Sequence, residues 1–258
     1  MRILFVDETP IDLLRKGKKK LQARLWVVRS GSGPPGVFFP FTEHWQHKQA
    51  INLLEPFSEH LQTDAYAGYE KVGRRNDITL LAGLAHARRR FVEAAKLGDK
   101  QALSFVMLFN VLYRIEHEIA AMPDTVSNKE KLAIRQTRAN RAFKRLFRKL
   151  DTVHALPQST LGKAITYTQN QKHILPNYLA ELRFRPDNNM AENAIRPVVL
   201  GKKNFLFVGS ERGGETAAIF MILIASCKAN KINVQLSQRC PEQNQRPSAS
   251  PSSRTPPA

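Results

Sequence analysis

With 258 residues the chain is long enough for one large domain, or one domain with a sizeable insertion, since single cores stop growing near about 250–300 residues. Forty Lys and Arg against 22 Asp and Glu leave a formal charge of +18, the footprint of a protein that meets a polyanion: nucleic acid first, an anionic membrane surface second. The longest strongly apolar stretch, Ala217 to Cys227, is far short of the ~20 residues of a spanning helix. No signal peptide is visible, and two cysteines, Cys227 and Cys240, cannot form a Cys-rich zinc site and give little support to a disulfide framework, so the expected compartment is the cytoplasm or nucleoid.

Residues 3–6 (ILFV), 24–29 (RLWVVR) and 36–41 (GVFFPF) are short apolar runs separated by the turn signals "KGKKK" and "SGSGPPG", which predicts three antiparallel strands. "KQAINLLEPF" has helical spacing, "HLQTD" reads as a strand, "AYAGYEKVG" as a helix closed by Gly73, and "ITLLAGL" as a strand leading into the helix "AHARRRFVEAAKLG". This predicts a mixed α/β sheet with helices on its faces over 1–98. Residues 99–183 carry helical patterns and no strand, which marks an insertion. Within it Ser127 and Glu130 form a capping box ahead of a long helix. There Arg135, Arg138, Arg141, Arg145 and Arg148 share one face, while Leu132, Ala139, Phe143, Leu146 and Leu150 line the other. The arginine face is either a solvated surface or a phosphate-contacting one. In 184–236 a helix starts near Met190 and is stopped or kinked at Pro197, Gly213-Gly214 reads as a turn, and "ETAAIFMILIASCKANK" as a buried helix. Residues 237–258, rich in Pro, Ser and Gln, read as a disordered tail.

Three carboxylates stand at element ends: Asp7 after the first strand, Asp64 after "LQT", and Glu192 one turn into the helix of "DNNMAENAIRP". Strand ends line the ligand crevice of open α/β sheets, so these acids can converge. Converging carboxylates suit Mg²⁺, with Mn²⁺ as substitute, and a pair of such ions can clamp an in-line phosphoryl transfer. The structural alternatives are an N-cap at Asp64, a capping box of Asn189 with Glu192, and a turn opened by Asp7 before Pro10.

The segments "DET", "LWVVRSG", "LQTDAYAGY", "AHARRRF", "DNNMAENAIRP", "GKKNFLFVGS" and "AAIFMILIASCKANKIN" occur in an order that resembles the insertion-sequence 66 transposase family, from about Arg2 to Asn233. The resemblance implies an RNase H-like catalytic core interrupted by a helical insertion before the last catalytic residue. It implies a DDE triad of Asp7, Asp64 and Glu192, which hold metal and catalyse DNA cleavage and strand transfer. DNA, both element ends and target, is the implied partner, with a second copy or a full-length relative in the assembly. Lys202 and Lys203, just beyond the catalytic helix, and Arg196, one turn after Glu192 on a similar face, are expected on DNA together with Arg88 and Arg89; His86 matches the same basic motif without an assigned role. The chain departs from the family where "GCWAH" loses its cysteine and "GRKN" reads "GKKN", whose lysine lacks the bidentate fork of arginine. Family members are typically longer, and the resemblance gives way after Asn233 to a different tail, so a fragment or decayed copy that only binds DNA is the competing expectation. An RNase H-like nuclease without strand transfer is another, and a membrane-surface protein a distant last.

Overall fold

The computed structural model describes residues 1–15, 19–43, 47–64 and 67–234. In chain order it contains β1 (Ile3–Leu13), β2 (Leu21–Ser30), β3 (Val37–Phe38), β4 (Phe41–Thr42), α1 (His47–Leu54), β5 (Glu59–Thr63), α2 (Ala67–Gly73), β6 (Ile78–Ala82), α3 (Leu84–Lys96), α4 (Lys100–Ala120), α5 (Asn128–Thr152), α6 (Thr160–Asn170), a 3-10 helix (Leu175–Ala180), α7 (Asn189–Phe205), β7 (Phe207–Val208) and α8 (Glu211–Ala229). The turn expected at "KGKKK", the start of "AYAGYEKVG" and the tail 237–258 fall wholly or in part outside the described residues.

The sheet has the order β3-β2-β1-β5-β6. β1 and β2 are antiparallel from Leu4 opposite Ser30 to Leu13 opposite Leu21, and β3 continues antiparallel beyond β2. On the other side β5 joins β1 in parallel, and β6 joins β5 in parallel. A mixed sheet with flanking helices is thus present, as the apolar runs predict. The run 36–41 is two short strands rather than one, because Pro40 interrupts it; its carbonyl still accepts from Trp26 N–H at 2.9 Å.

β1 is longer than its apolar run and does not end at Asp7. It continues through Pro10 to Leu13 because β5 pairs only with Ile3, Leu4 and Phe5 and β7 only with Asp12 and Leu13. The stretch between them has an open outer edge, where Pro10 has no ladder bond to lose. Its carbonyl accepts there from Lys202 Nζ.

The buried side chains of α3, α4, α5 and α6, among them Phe91, Phe105, Phe109, Phe143 and Leu146, form one contiguous cluster with those of the sheet. The helical block shares the core of the strands it follows. Ser127 caps α5 as expected, its Oγ accepting from Glu130 N–H at 3.2 Å while Glu130 Oε2 accepts from Ser127 N–H at 2.9 Å.

α7 contains Pro197 and does not stop there; Ala191, Ile195 and Val198 on its inner side are buried against the sheet. Two expectations fail in this part of the chain. The glycine pair lies inside the first turn of α8, capped by Ser210 Oγ; a Cβ on Gly214 would come within 2.6 Å of the Phe41 ring, so glycine serves close packing there. α8 is not buried: only Gly214, Ala218 and Cys227 are, while Ile219, Phe220 and Leu223 are more than half exposed. β3 and β4, each two residues long, offer too narrow a platform to cover a helix apolar on all sides.

Candidate active site

Along β1 the alternation of a half-buried strand puts Ile3, Phe5, Thr9, Ile11 and Leu13 on the buried side. Asp7 occupies a position of that same register, where a core residue would otherwise stand. Its Oδ1 accepts from the Glu8 N–H at 2.8 Å. Burial raises its pKa to about 7, and the negative charges of Asp64, Glu8 and Glu192 push in the same direction. The three carboxylates singled out in the sequence are therefore electrostatic neighbours. Asp64 follows the last residue of β5 and Glu192 lies in the first turn of α7, so their placement at element ends holds; that of Asp7 does not.

The frame holding these groups is backbone-anchored. Asn188, fully buried, donates through Nδ2 to Val6 O at 2.9 Å, just past the point where β5 stops pairing with β1. This pins the start of α7 beside Asp7. The capping box of Asn189 with Glu192 does not form; the residue before the helix is Asn188, and the Glu192 carboxylate meets His86 instead, Nε2 to Oε1 at 3.2 Å. Tyr167, from α6, donates its hydroxyl to the Asp64 carbonyl at 3.0 Å, and its pKa is pushed up to about 12 by burial and then by the Asp64 charge. On the opposite side of β1, buried Tyr69 donates to Glu8 Oε2 at 2.6 Å, its pKa raised by burial and that carboxylate.

These carboxylates are hard oxygen donors of the kind a divalent cation takes. Among the described residues, however, no three His, Cys, Asp or Glu side chains stand close enough together to hold a metal ion. Glu192 Oε1 meets His86, and Asp7 Oδ1 accepts from the Glu8 amide. The donor chemistry fits a divalent cation.

The basic residues divide into groups. Arg138, Arg141, Arg145 and Arg148 are exposed on α5, Arg138 sharing its charge with Glu118 at 2.6 Å. With α4, Arg138, Arg141 and Arg145 border a cavity of about 290 Å³ that Leu108, Val111 and Ala142 also line. Arg135 does not belong to this surface. It is 5% exposed and donates to Glu116 Oε2 at 2.5 Å and to the Glu181 carbonyl at 2.8 Å. Glu116 pulls it inward between α4 and the segment before α7. Arg88 is partly buried and donates to Asn110 Oδ1 at 2.9 Å, whereas Arg89 is exposed. Arg196 and Lys203 are exposed, and Lys202 and Lys203, expected beyond the helix, lie within α7. Lys202 reaches back to Thr9 Oγ1 at 3.2 Å, and burial lowers its pKa.

Tyr167, Asn188 and the role of His86 were not legible in the sequence. Only the "DNN" motif marked Asn188; no spacing signal links Tyr167 in α6 to Asp64, since the contact is purely tertiary.

The fold is a mixed sheet with flanking helices, and the central strand and its neighbours bring three carboxylates into electrostatic contact in a chain of high positive charge. The chain matches the family described as "Transposase IS66 family" over residues 1–216 and belongs to it. Similar relatives from Sinorhizobium fredii are "Uncharacterized protein y4jD", 33% identical over 246 residues, 89% of this chain and 47% of the relative, and "Uncharacterized protein y4qI", 31% identical over 249 residues, 89% and 45%. The chain spans about half the length of the curated relatives it matches. No solved structure gives a significant match. Among the described residues no helix is long and apolar enough to cross a membrane.

Proposed function

We propose that this chain forms the catalytic part of a DNA transposase, acting in the nucleoid, that cleaves DNA at an element's end and joins the freed 3′-hydroxyl to target DNA. The observation that carries the reading is the electrostatic coupling at Asp7: Asp64 from the end of β5 and Glu192 from α7 both raise its pKa. Family membership supplies the DNA substrate. The strand order supports an RNase H-like core, three antiparallel strands followed by two parallel ones, with α4 to α6 as the helical insertion before Glu192.

In this reading Asp7, Asp64 and Glu192 hold Mg²⁺ or Mn²⁺, which when bound supplies Lewis-acid stabilisation of charge on the reacting phosphate. The chain's own residues prepare the rest. Asn188 and Tyr167 fix the backbones that carry Glu192 and Asp64. Arg196 and Lys203, exposed on α7, and Arg89 near its N-terminal end bind DNA phosphates and set their register. Arg138, Arg141, Arg145 and Arg148 extend the basic surface along α5. A second reading, a DNA-binding chain without catalysis, needs no more than the exposed arginine face of α5.

The test is Mg²⁺- or Mn²⁺-dependent nicking of labelled DNA carrying the native element's end, with the chain compared to Asp64→Ala. Nicking by the chain, lost in the variant, supports the catalytic reading, and joined products separate transposase from plain nuclease. Tight, salt-sensitive DNA binding without nicking in either protein favours the silent reading.

A further inference from the structure

We infer that His86 is a positioning residue for Glu192: it occupies one carboxylate oxygen, Oε1, and so aims the other at the Asp7 and Asp64 side, for a divalent cation. The inference rests on the reading of Glu192 as a metal ligand. His86 Nε2 stands 3.2 Å from Glu192 Oε1, and toward a metal-binding carboxylate, which only accepts hydrogen bonds, this nitrogen is the donor. Both side chains are about one quarter exposed, too open for packing alone to hold a glutamate with three rotatable bonds.

The position of His86 is itself fixed by the elements that carry the other two groups. α3 begins at Leu84, two residues before His86, and its entry is tied at both flanks. Gly83 N–H donates to Thr63 O at 3.1 Å, the residue before Asp64, and Leu84 N–H donates to Pro186 O at 2.7 Å, in the segment leading into α7. A Cβ on Gly83 would lie 3.4 Å from the Asn188 backbone nitrogen, which shows how closely this turn approaches the start of α7. His86, Asp64 and Glu192 therefore share one backbone frame. Outer hydrogen-bond partners of this kind orient metal-binding carboxylates, and their loss typically costs 10- to 100-fold in affinity.

The experiment is Mn²⁺ titration of the full chain, followed by calorimetry, for wild type, His86→Ala, His86→Gln and Glu192→Gln, each checked by metal-free thermal melting. The expected result is binding weakened about tenfold in His86→Ala and recovered in His86→Gln, whose amide N–H reaches a similar point, with metal-free melting unchanged. If His86→Ala does not fold, His86→Leu, which fills the space without a donor, replaces it. Equal Mn²⁺ affinity in wild type and the donorless variant, with Glu192→Gln impaired, overturns this inference alone. His86→Gln as weak as His86→Ala also overturns it, since the N–H would then not be what matters. Equal binding by wild type and Glu192→Gln overturns the ligand assignment of Glu192 and this inference with it.

Discussion

On α5, Arg138, Arg141, Arg145 and Arg148 share a face because 3.6 residues make a turn, and water solvates each of them at little cost. Asp7, Asp64 and Glu192 come from a strand, a strand end and a helix far apart in sequence; burial first, and then the neighbouring negative charges, raise the pKa of Asp7 to about 7. The contrast separates charge placed by local periodicity from charge placed by the fold against its own repulsion. Arg135 belongs to the α5 series by spacing and to the interior by contact.

The sharpest way to break this comparison is to remove a cleft carboxylate. Glu192→Gln should lower metal-dependent nicking by about 10³-fold, the rate equivalent of several kcal/mol of charge stabilisation, in a gel assay with the native element's end. The same substitution at an ordinary surface acid should change nothing. Arg135→Ala should cost about 3–5 kcal/mol in urea unfolding, because it leaves Glu116 buried without its cation.

Asp7 gives the comparison a pH axis. Its folded pKa lies above its ordinary value of 3.8, so its contribution to stability is full below about pH 4 and is lost as pH rises through about 7. Asp7→Asn should thus abolish nicking yet raise the melting temperature at pH 8 by a few degrees, and leave it nearly unchanged at pH 4. Added Mn²⁺ should stabilise wild type at pH 8 and not the variant.

On the basic face, Arg138→Glu with Arg145→Glu should reduce the slope of log affinity against log salt by about two, close to one per lost phosphate contact, with stability within about 0.5 kcal/mol of wild type. An unchanged slope assigns the face to solvation alone. The smallest effect is Ser127→Ala, about 1 kcal/mol of stability through loss of the α5 cap, with DNA affinity unaffected.

Much of the fold was legible beforehand. The strand runs around Ile3, Trp26, Leu61 and Leu80, the helical block and the α5 capping box follow from period and turn chemistry. Where fold and sequence pattern differ, the cause is shared: packing overrules the local signal. Pro10 read as a break, but it sits on an open strand edge. Gly213-Gly214 read as a turn, yet Gly214 is needed against Phe41. α8 is apolar enough for a core and is left half uncovered.

By itself the sequence determined the class of sheet, the amphipathic helices and the excess of positive charge, and the family resemblance pointed to three carboxylates to test. Those properties depend on neighbours along the chain or on composition. The tertiary structure alone decided that Arg135 faces Glu116 rather than solvent, that Tyr167 supports Asp64, and that His86 meets Glu192. Such contacts join residues many positions apart, and no periodicity records them; they exist only once β1, β5, α3 and α7 are packed on a common core.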